Sequence, residues 1–459
     1  MSLLLYDQGI KPFLDFIESA QREFFKAKDF VTLYDLIFKM CIQRDPFNWS
    51  ETMYELYTHS ILNYLLEKVN PALNTARSQY DVAFLKEWKT RWANQKLIVQ
   101  GLSKLFMYLD RFYTANTDGI LALKDQGYKS YKEQIFDHFA PVARQAVLNA
   151  IEKERNNEEQ DRHLLKEAVM VFVEMGYNSN KRLAVYTNDL EKHIIEHAGL
   201  YYQRQSRVWM DSDSMPVYLE KVEKVFQQEE ARVKAYLNVA TQEPLHKEIY
   251  VQLLKTHQKE LLRKKTGLFN LLSINAVDDL SRLYRLYKSN PSDLDPIAEM
   301  FEEFITKEGC AVVDAAKAAA VAAPKDGDEK EEKKDGSSSS APAADANHAL
   351  VRNLIGLHAQ YANIVTTAFD KAQVMQKALK KAFEEFINKD NRVSKLLAKF
   401  VNDCLKKGSK VNVRDLESTL DNVVFLYGYI SEKDVFERSA TKSCAVRWIE
   451  QKEVDALTH

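Results

Sequence analysis

Apolar side chains recur every three or four positions along most of this chain, and that spacing constrains its fold more than any other feature. One such stripe, in YLEKVEKVFQQEEARVKAYL (218–237), consists of Tyr218, Leu219, Val222, Val225, Phe226, Val233, Tyr236 and Leu237. Glu229 interrupts it once. This spacing places the apolar side chains on one face of an α-helix. Strict alternation, the mark of a half-buried strand, is found nowhere convincingly, so the sequence predicts an all-α protein.

Residues that break helices are scarce. The 459 residues include 13 glycines and 10 prolines, and a typical protein has about twice this share of glycine. The breakers that occur stand at the ends of apolar stripes. Ser214 and Pro216 suit a helix start before the 218–237 stretch, and Asn290–Pro291 ends the stripe of VDDLSRLYRLY. We therefore expect long helices joined by short turns.

One stretch, PKDGDEKEEKKDGSSSSAPAADAN (324–347), has a different composition. It combines mixed charges with four consecutive serines and has little apolar surface to bury. Such a segment cannot offset the entropy lost on ordering. The helical pattern resumes at Leu350, so we predict a disordered loop inserted between two helices.

The stretch KDFVTLYDLIFKMC (28–41) is apolar on more than one face. Its main stripe consists of Phe30, Leu33, Tyr34, Ile37, Phe38 and Cys41. The other side carries Val31, Leu36 and Met40. A helix that is apolar nearly all round is normally buried on all sides. Either this is a core helix, or one of its faces binds another protein, and the pattern alone leaves both interpretations open.

No motif for catalysis is found. The chain has no GxxxxGK[ST] or GxGxxG loop, no GxSxG elbow and no cysteine pair at zinc spacing. His193 and His197 share a helix face but lack further ligands at a recognisable spacing, so we interpret them as surface residues. We expect no metal and no cofactor, and a binding or scaffolding protein is favoured over an enzyme.

Charge and cysteine usage exclude further classes. A net charge of −2 gives no global field that would attract nucleic acid. No run approaches the roughly 18 apolar residues of a membrane span. Cys41, Cys310, Cys404 and Cys444 are far apart and show no paired spacing, which is typical of free thiols in a reducing compartment. We predict a cytoplasmic and nuclear location.

Several stretches, in their order along the chain, resemble the cullin family. They are YLDR (108–111), IEKERNNE (151–158), the 218–237 stretch, DDLSRLYRLY (278–287), LKKAFEEFIN (379–388) and ISEKDVFE (430–437). In addition, FVTLYDLIFKMC (30–41) resembles the second helix of the cullin amino terminus. The resemblance extends from about residue 10 to 450. It is greatest to the F-box (SCF-type) cullins of plants and algae, although the branches with BTB-domain adaptors share much of the pattern.

The resemblance implies a non-catalytic scaffold of a cullin-RING ubiquitin ligase, acting in ubiquitin-dependent protein catabolism. It implies an elongated, curved stalk of three five-helix cullin repeats at 1–150, 151–270 and 271–400, the last containing the insertion. A partial helical bundle is expected at 401–459. Such a stalk acts by holding two bound proteins at a fixed separation, which raises their effective concentration relative to each other.

An F-box-linked adaptor of BTB/POZ fold is expected to bind the first repeat. The resemblance assigns its contacts to Phe30, Val31, Tyr34, Ile37 and Phe38 on the 28–41 helix and to Tyr108, Arg111 and Tyr113 in YLDRFYT. Leu33, Leu36 and Met40 are expected to pack into the repeat. For each contact residue the alternative is a core position.

The sequence departs from the family pattern after DVFE. Ser439 and Ala440 replace an expected aromatic pair, and the chain stops at His459, before the family's RING-binding domain and modified lysine. We therefore expect adaptor binding without a RING-box protein.

Three interpretations of this departure stay open: a truncated gene model, a degenerate paralogue and a regulator that titrates adaptors. A tethering subunit built as a helical rod is the alternative function, but it does not explain the ordered stretches.

Overall fold

The structure, a computed structural model, describes residues 5–18, 27–43, 49–176, 182–322, 341–390, 392–405 and 413–439. Every regular element within these ranges is a helix, so the predicted all-α class is confirmed.

The α-helices are numbered in chain order. The first are α1 (Lys11–Glu18), α2 (Ala27–Cys41), α3 (Ser50–Tyr64), α4 (Asn70–Arg77), α5 (Asp81–Leu105), α6 (Met107–Phe112), α7 (Leu123–Tyr131), α8 (Asp137–Arg155), α9 (Arg162–Glu174), α10 (Ala184–Tyr186), α11 (Lys192–Ser212), α12 (Met215–Tyr236) and α13 (Gln242–Tyr250). The later ones are α14 (Gln258–Arg263), α15 (Leu268–Ser273), α16 (Val277–Tyr287), α17 (Asp295–Ala322), α18 (Ala341–Thr367), α19 (Gln373–Asn388), α20 (Arg392–Leu405), α21 (Val413–Gly428) and α22 (Lys433–Ser439).

Single π-helical turns recur along the chain. The first, at Tyr6–Ile10, precedes α1. Others join α3 to α4 at Leu65–Val69, α7 to α8 at Lys132–Phe136 and α10 to α11 at Thr187–Glu191, and one follows α13 at Val251–Lys255. The turns at Leu65–Val69 and Thr187–Glu191 are about 120 positions apart, as are those at Lys132–Phe136 and Val251–Lys255, whereas the Tyr6–Ile10 turn is outside this pattern. Because such turns are rare, this recurrence favours a long internal repeat. The three repeat boundaries stay a prediction.

The chain divides into two compact units. Unit 1 comprises Met1–Ser206 and Val225–Leu253, and unit 2 comprises Arg207–Lys224 and Leu254–His459. Aromatic rings fill the centre of unit 1, where Trp88 of α5 lies 5.8 Å from Phe136 and 6.1 Å from Phe172 of α9 between ring centroids. Burial of such large rings is the main stabilising contribution of a helical core.

A buried ion network, formed by Arg155, Tyr202, Glu229 and Arg232, joins α8, α11 and α12 within unit 1. The Arg155 side chain donates two hydrogen bonds to Glu229, of 2.9 and 3.1 Å, and both side chains are 1% exposed. Arg232 and the Tyr202 hydroxyl donate to the same carboxylate, at 2.7 and 2.6 Å. Burial alone would raise the pKa of Glu229, but the charges of Arg155 and Arg232 and the hydrogen bonds to this carboxylate together outweigh it and lower that pKa. The charge that interrupts the apolar stripe of α12 is therefore paired inside the core.

Unit 2 is centred on the packing of α17 against α18 and α19. Phe301 of α17 lies 5.9 Å from Tyr361 and 5.7 Å from Phe369 between ring centroids. Gly309 of α17 allows close packing against α19, because a Cβ there would lie only 2.4 Å from the Phe386 ring. Among the described helices, none combines the length and apolar character needed to cross a membrane.

The helix ends mostly follow the sequence signals, with one correction. Helix α12 begins directly after Ser214 with Pro216 in its first turn, and α16 ends before Asn290–Pro291. Most of the predicted loop at 324–347 lies outside the described residues, but α18 already begins at Ala341. The prediction is therefore wrong for 341–347. This end of the stretch is rich in alanine, the strongest helix former.

Candidate protein-docking surface

Helix α1 is tied to unit 1 by the carboxylate of its last residue, Glu18. This carboxylate accepts hydrogen bonds from Tyr64 of α3 and from Arg91 and Asn94 of α5. Burial alone would raise the pKa of Glu18, but the hydrogen bonds from Tyr64 and Arg91 outweigh it and lower that pKa. The ionised carboxylate thus fixes the amino-terminal helix against α3 and α5.

Helix α2 buries one face and leaves a second face partly open. The buried residues are Ile37, Met40 and Cys41. On the open face, Phe30, Tyr34 and Phe38 are each half-buried, and Val31 is 63% exposed. Residues four apart lie on one side of a helix. The apolar character on both sides of α2 therefore has two causes, a core face and a partly exposed aromatic face whose Phe30 and Tyr34 rings also pack against the core.

Aromatic rings continue this open face from α2 onto α6. Tyr34 stacks on Phe38, Phe38 meets Tyr108 edge-on at 5.2 Å between centroids, and Tyr108 lies 4.6 Å from Phe112. Phe112 at the end of this row is 56% exposed. We call the exposed and half-buried set the aromatic surface, consisting of Phe30, Val31, Tyr34, Phe38, Tyr108 and Phe112.

The position of α6 is fixed by the aspartate of the YLDR stretch. Asp110 accepts a 2.8 Å hydrogen bond from the backbone N–H of Leu123, the first residue of α7. Tyr54 of α3 donates to the carbonyl of Leu121 at 2.9 Å. The first bond satisfies a backbone N–H that a helix start otherwise leaves unpaired. The second holds the residues before α7 against α3. The aromatic surface is therefore set on a rigid support.

Tyr113 and Arg111 lie beside the aromatic surface. Tyr113 is half-buried, with its ring 5.9 Å from that of Tyr54, and Arg111 is exposed. Both are thus open enough to contact a partner. For these two residues, as for Phe30, Val31, Tyr34, Phe38 and Tyr108, the binding role stays a prediction.

Two assignments on α2 are wrong. Ile37 was predicted to face a partner but is 1% exposed, and Leu36 was predicted to be core but is 37% exposed. Adjacent residues point about 100° apart around a helix, so an error of about half that angle in the assigned core direction exchanges their roles. Met40 is buried as predicted, at 3% exposure. Leu33 is half-buried, and its methyl groups fill the space beside Gly9.

Phe112 is the residue of the aromatic surface that the sequence did not single out. It follows Tyr108 by four positions, so a helical reading of YLDRFYT places both rings on one face. Met107, at 36% exposure, lies at the start of the same short helix. This spacing is the signal that the sequence contains for Phe112, whereas the family resemblance assigns only Tyr108, Arg111 and Tyr113 in this stretch.

The histidine pair of α11 has a structural explanation. His197 Nε2 lies 3.0 Å from a carboxylate oxygen of Glu152, and burial lowers the pKa of this histidine. Within the described ranges, no group of three His, Cys, Asp or Glu side chains is placed to hold a metal ion. His197 therefore joins α11 to α8 within unit 1.

Comparison with known proteins gives a consistent result. A family model described as the cullin alpha solenoid domain matches residues 14–456. "Cullin-2" of Arabidopsis thaliana is 34% identical over 422 residues, which are 90% of this chain and 54% of that protein. "Cullin-1" of Oryza sativa subsp. japonica is 33% identical over 451 residues, covering 97% of this chain and 58% of that protein.

A third relative, "Putative cullin-like protein 1" of Arabidopsis thaliana, is 32% identical over 446 residues. The alignment covers 96% of this chain and 58% of that protein. The chain thus spans a little over half the length of the curated relatives that it matches. What these longer proteins do as a whole is therefore a matter of proposal for this chain.

Proposed function

Because this chain belongs to the cullin family, we propose that it is a scaffold subunit of an SCF-type ubiquitin ligase and binds a substrate adaptor through the aromatic surface. The adaptor is of BTB/POZ fold and is linked to F-box proteins. The scaffold acts by holding its partners at a fixed separation, which raises their effective concentration. A cytoplasmic and nuclear location belongs to the same proposal.

The observation that carries the proposal is the row of rings from Tyr34 to Phe112. Large aromatic side chains near the centre of a patch are the usual anchors of protein interfaces. Here they lie on two helices, α2 and α6. Helix α2 is anchored by its buried residues Ile37, Met40 and Cys41, and α6 by the hydrogen bond that Asp110 accepts from α7. A rigid apolar patch loses little entropy on binding, which suits a docking site better than a loop would.

The test is a double substitution, Phe30→Ala with Val31→Ala, in the full chain. We expect binding to a purified F-box-linked adaptor of BTB/POZ fold to weaken by about thirtyfold or more, because anchor residues each contribute on the order of 2 kcal/mol. The helical circular dichroism should not change. Binding is measured by isothermal titration calorimetry.

The matched control is Tyr80→Ala with Val239→Ala. These residues of unit 1 are 68% and 73% exposed and lie outside the aromatic surface. The control should bind the adaptor like the unchanged chain. Unchanged binding by the Phe30/Val31 variant would contradict the proposed surface, and loss of helix would mean that these residues belong to the core.

Residues 440–459, where the sequence departs from the family pattern, lie outside the described residues. A pull-down that is probed for both the adaptor and a RING-box protein tests which of the two this chain binds.

A further inference from the structure

A groove with a volume of about 680 Å³ lies between α18, α19 and α21 of unit 2. It contains no residue of the aromatic surface, so it is independent of the proposed adaptor site. Its walls combine aromatic side chains with amides and lysines. The lining residues used below are His358, Lys371, Gln376, Lys377, Lys380 and Phe425.

The floor of the groove is aromatic. The His358 and Phe425 rings stack, with centroids 5.4 Å apart and planes at 22°. His358 is fixed from behind, because its Nε2 lies 3.0 Å from the Tyr429 hydroxyl, and the edge of its ring meets Phe383 at 5.2 Å. Phe425, in contrast, is 56% exposed. An uncovered ring on a fixed support offers a stacking surface for a large apolar side chain.

The rim of the groove is positively charged. Among the described residues that line it, three are lysines and none is acidic. Lys380 lies 3.7 Å from Glu384 in an exposed pair. Within the described part of the chain, Lys371 and Lys377 have no such partner. The rim therefore favours a ligand that carries negative charge.

Lys371 is fixed at this rim by an unusual turn after α18. Asp370 and Lys371 both have positive φ angles, of 48° and 54°. The Lys371 N–H donates to the Val365 carbonyl at 3.0 Å, and the Gln376 side chain donates to the Lys371 carbonyl at 2.9 Å. Consecutive non-glycine residues in this conformation are uncommon and need such support.

From this arrangement we propose that the groove binds an acidic segment of a partner protein. One large apolar side chain of the segment packs on Phe425, and flanking carboxylates face Lys371, Lys377 and Lys380. Amide side chains such as Gln376 are placed to bond polar groups of the segment. The combination of an apolar anchor with charged flanks gives both affinity and orientation.

The experiment uses the full chain and a fluorescent 12-residue peptide with one central tryptophan flanked by aspartates and glutamates. We expect anisotropy to detect binding that weakens with added salt. Replacing the tryptophan of the peptide by alanine, or introducing Phe425→Ala, should each weaken binding about tenfold or more. Lys377→Glu should weaken it by a similar factor.

The matched control is Lys259→Glu, an equal change of charge at an exposed lysine that does not line the groove. It should bind the peptide like the unchanged chain. No binding by the unchanged chain, or equal loss in Lys259→Glu and Lys377→Glu, overturns the proposal. A dimer in sedimentation that Phe425→Ala dissociates also overturns it, because a second copy would then occupy the groove. If Phe425→Ala does not fold, Lys377→Glu and the peptide variants decide the outcome.

Discussion

The aromatic surface and the buried ion network both arise from residues that break the amphipathic pattern of a helix, in opposite directions. On α12 a charged residue, Glu229, stands in the apolar stripe and is 1% exposed. On α2 and α6 large apolar residues stand outside the core face, and Val31 and Phe112 are 63% and 56% exposed. The charge finds its partners within the chain, whereas the rings have an open side.

This difference teaches which exceptions to an apolar pattern serve folding and which serve binding. A buried charge without a partner costs several kcal/mol, so it has to be paired for the chain to fold. An exposed apolar ring costs the folded chain little, but a contiguous group of rings marks an interaction site. Substitutions in the two regions should therefore change different quantities, namely stability in one and affinity in the other.

The largest effect is expected for Glu229→Gln. Removing this charge leaves the guanidinium groups of Arg155 and Arg232 in the core without their shared carboxylate. The free energy of unfolding should fall by about 3–5 kcal/mol, as measured by urea denaturation. The matched control is Glu230→Gln at the next position. Glu230 forms an exposed ion pair with Lys234 at 2.6 Å, and loss of such a pair should not measurably change the free energy of unfolding. Equal losses of stability at both positions would contradict the claim that Glu229 is a buried structural charge and Glu230 an exposed one.

A smaller effect is expected within α2 itself. Ile37→Ala removes a side chain that is 1% exposed and should lower the free energy of unfolding by about 3 kcal/mol. Val31→Ala should leave stability nearly unchanged and weaken adaptor binding. Denaturation and calorimetry on both variants test this. If Val31→Ala destabilises as much as Ile37→Ala, the open face of α2 belongs to the core.

The pH dependence of stability extends the comparison to a buried polar group of unit 2. Burial lowers the pKa of His358 from 6.5 to about 4. The unfolded chain therefore takes up a proton near pH 6.5 and the folded chain only near pH 4, so stability falls as the pH is lowered through this window. Between pH 7 and pH 5 this histidine should reduce the free energy of unfolding by about 2 kcal/mol.

The measurement compares the unchanged chain with His358→Gln in urea denaturation at both pH values. The variant lacks the titrating imidazole, so its free energy of unfolding should fall less between pH 7 and pH 5. The stability advantage of the unchanged chain over the variant should therefore shrink or reverse at pH 5. Parallel losses of stability in both proteins would show that His358 is not responsible. The comparison of the two proteins removes contributions from the other titrating groups.

The helical class and most helix ends could be predicted because they depend on local signals. The stripe of 218–237 became α12, and Asn290–Pro291 lies beyond the end of α16. The pairing of Glu229 with Arg155 could not be predicted, since the two residues are 74 positions apart. Apolar spacing shows that a charge lies on the inner face of a helix, but it does not name the partner.

The candidate site was predicted in part. The two segments that form it, 30–41 and 108–113, were both identified, and the structure brings their rings together through Phe38 and Tyr108. The facing direction of α2 was wrong at Leu36 and Ile37, because a helix that is apolar nearly all round gives no clear direction. That direction is set by the surrounding core, which local spacing does not contain.

The most direct test of the central claim is amide hydrogen exchange of the full chain with and without an F-box-linked adaptor of BTB/POZ fold. We predict that the adaptor slows exchange in α2 and α6, within 27–41 and 107–113, and leaves α12 around the buried ion network unchanged. Binding of the adaptor with no protection in either segment, or with protection elsewhere alone, would contradict the claim that the aromatic surface is a docking site.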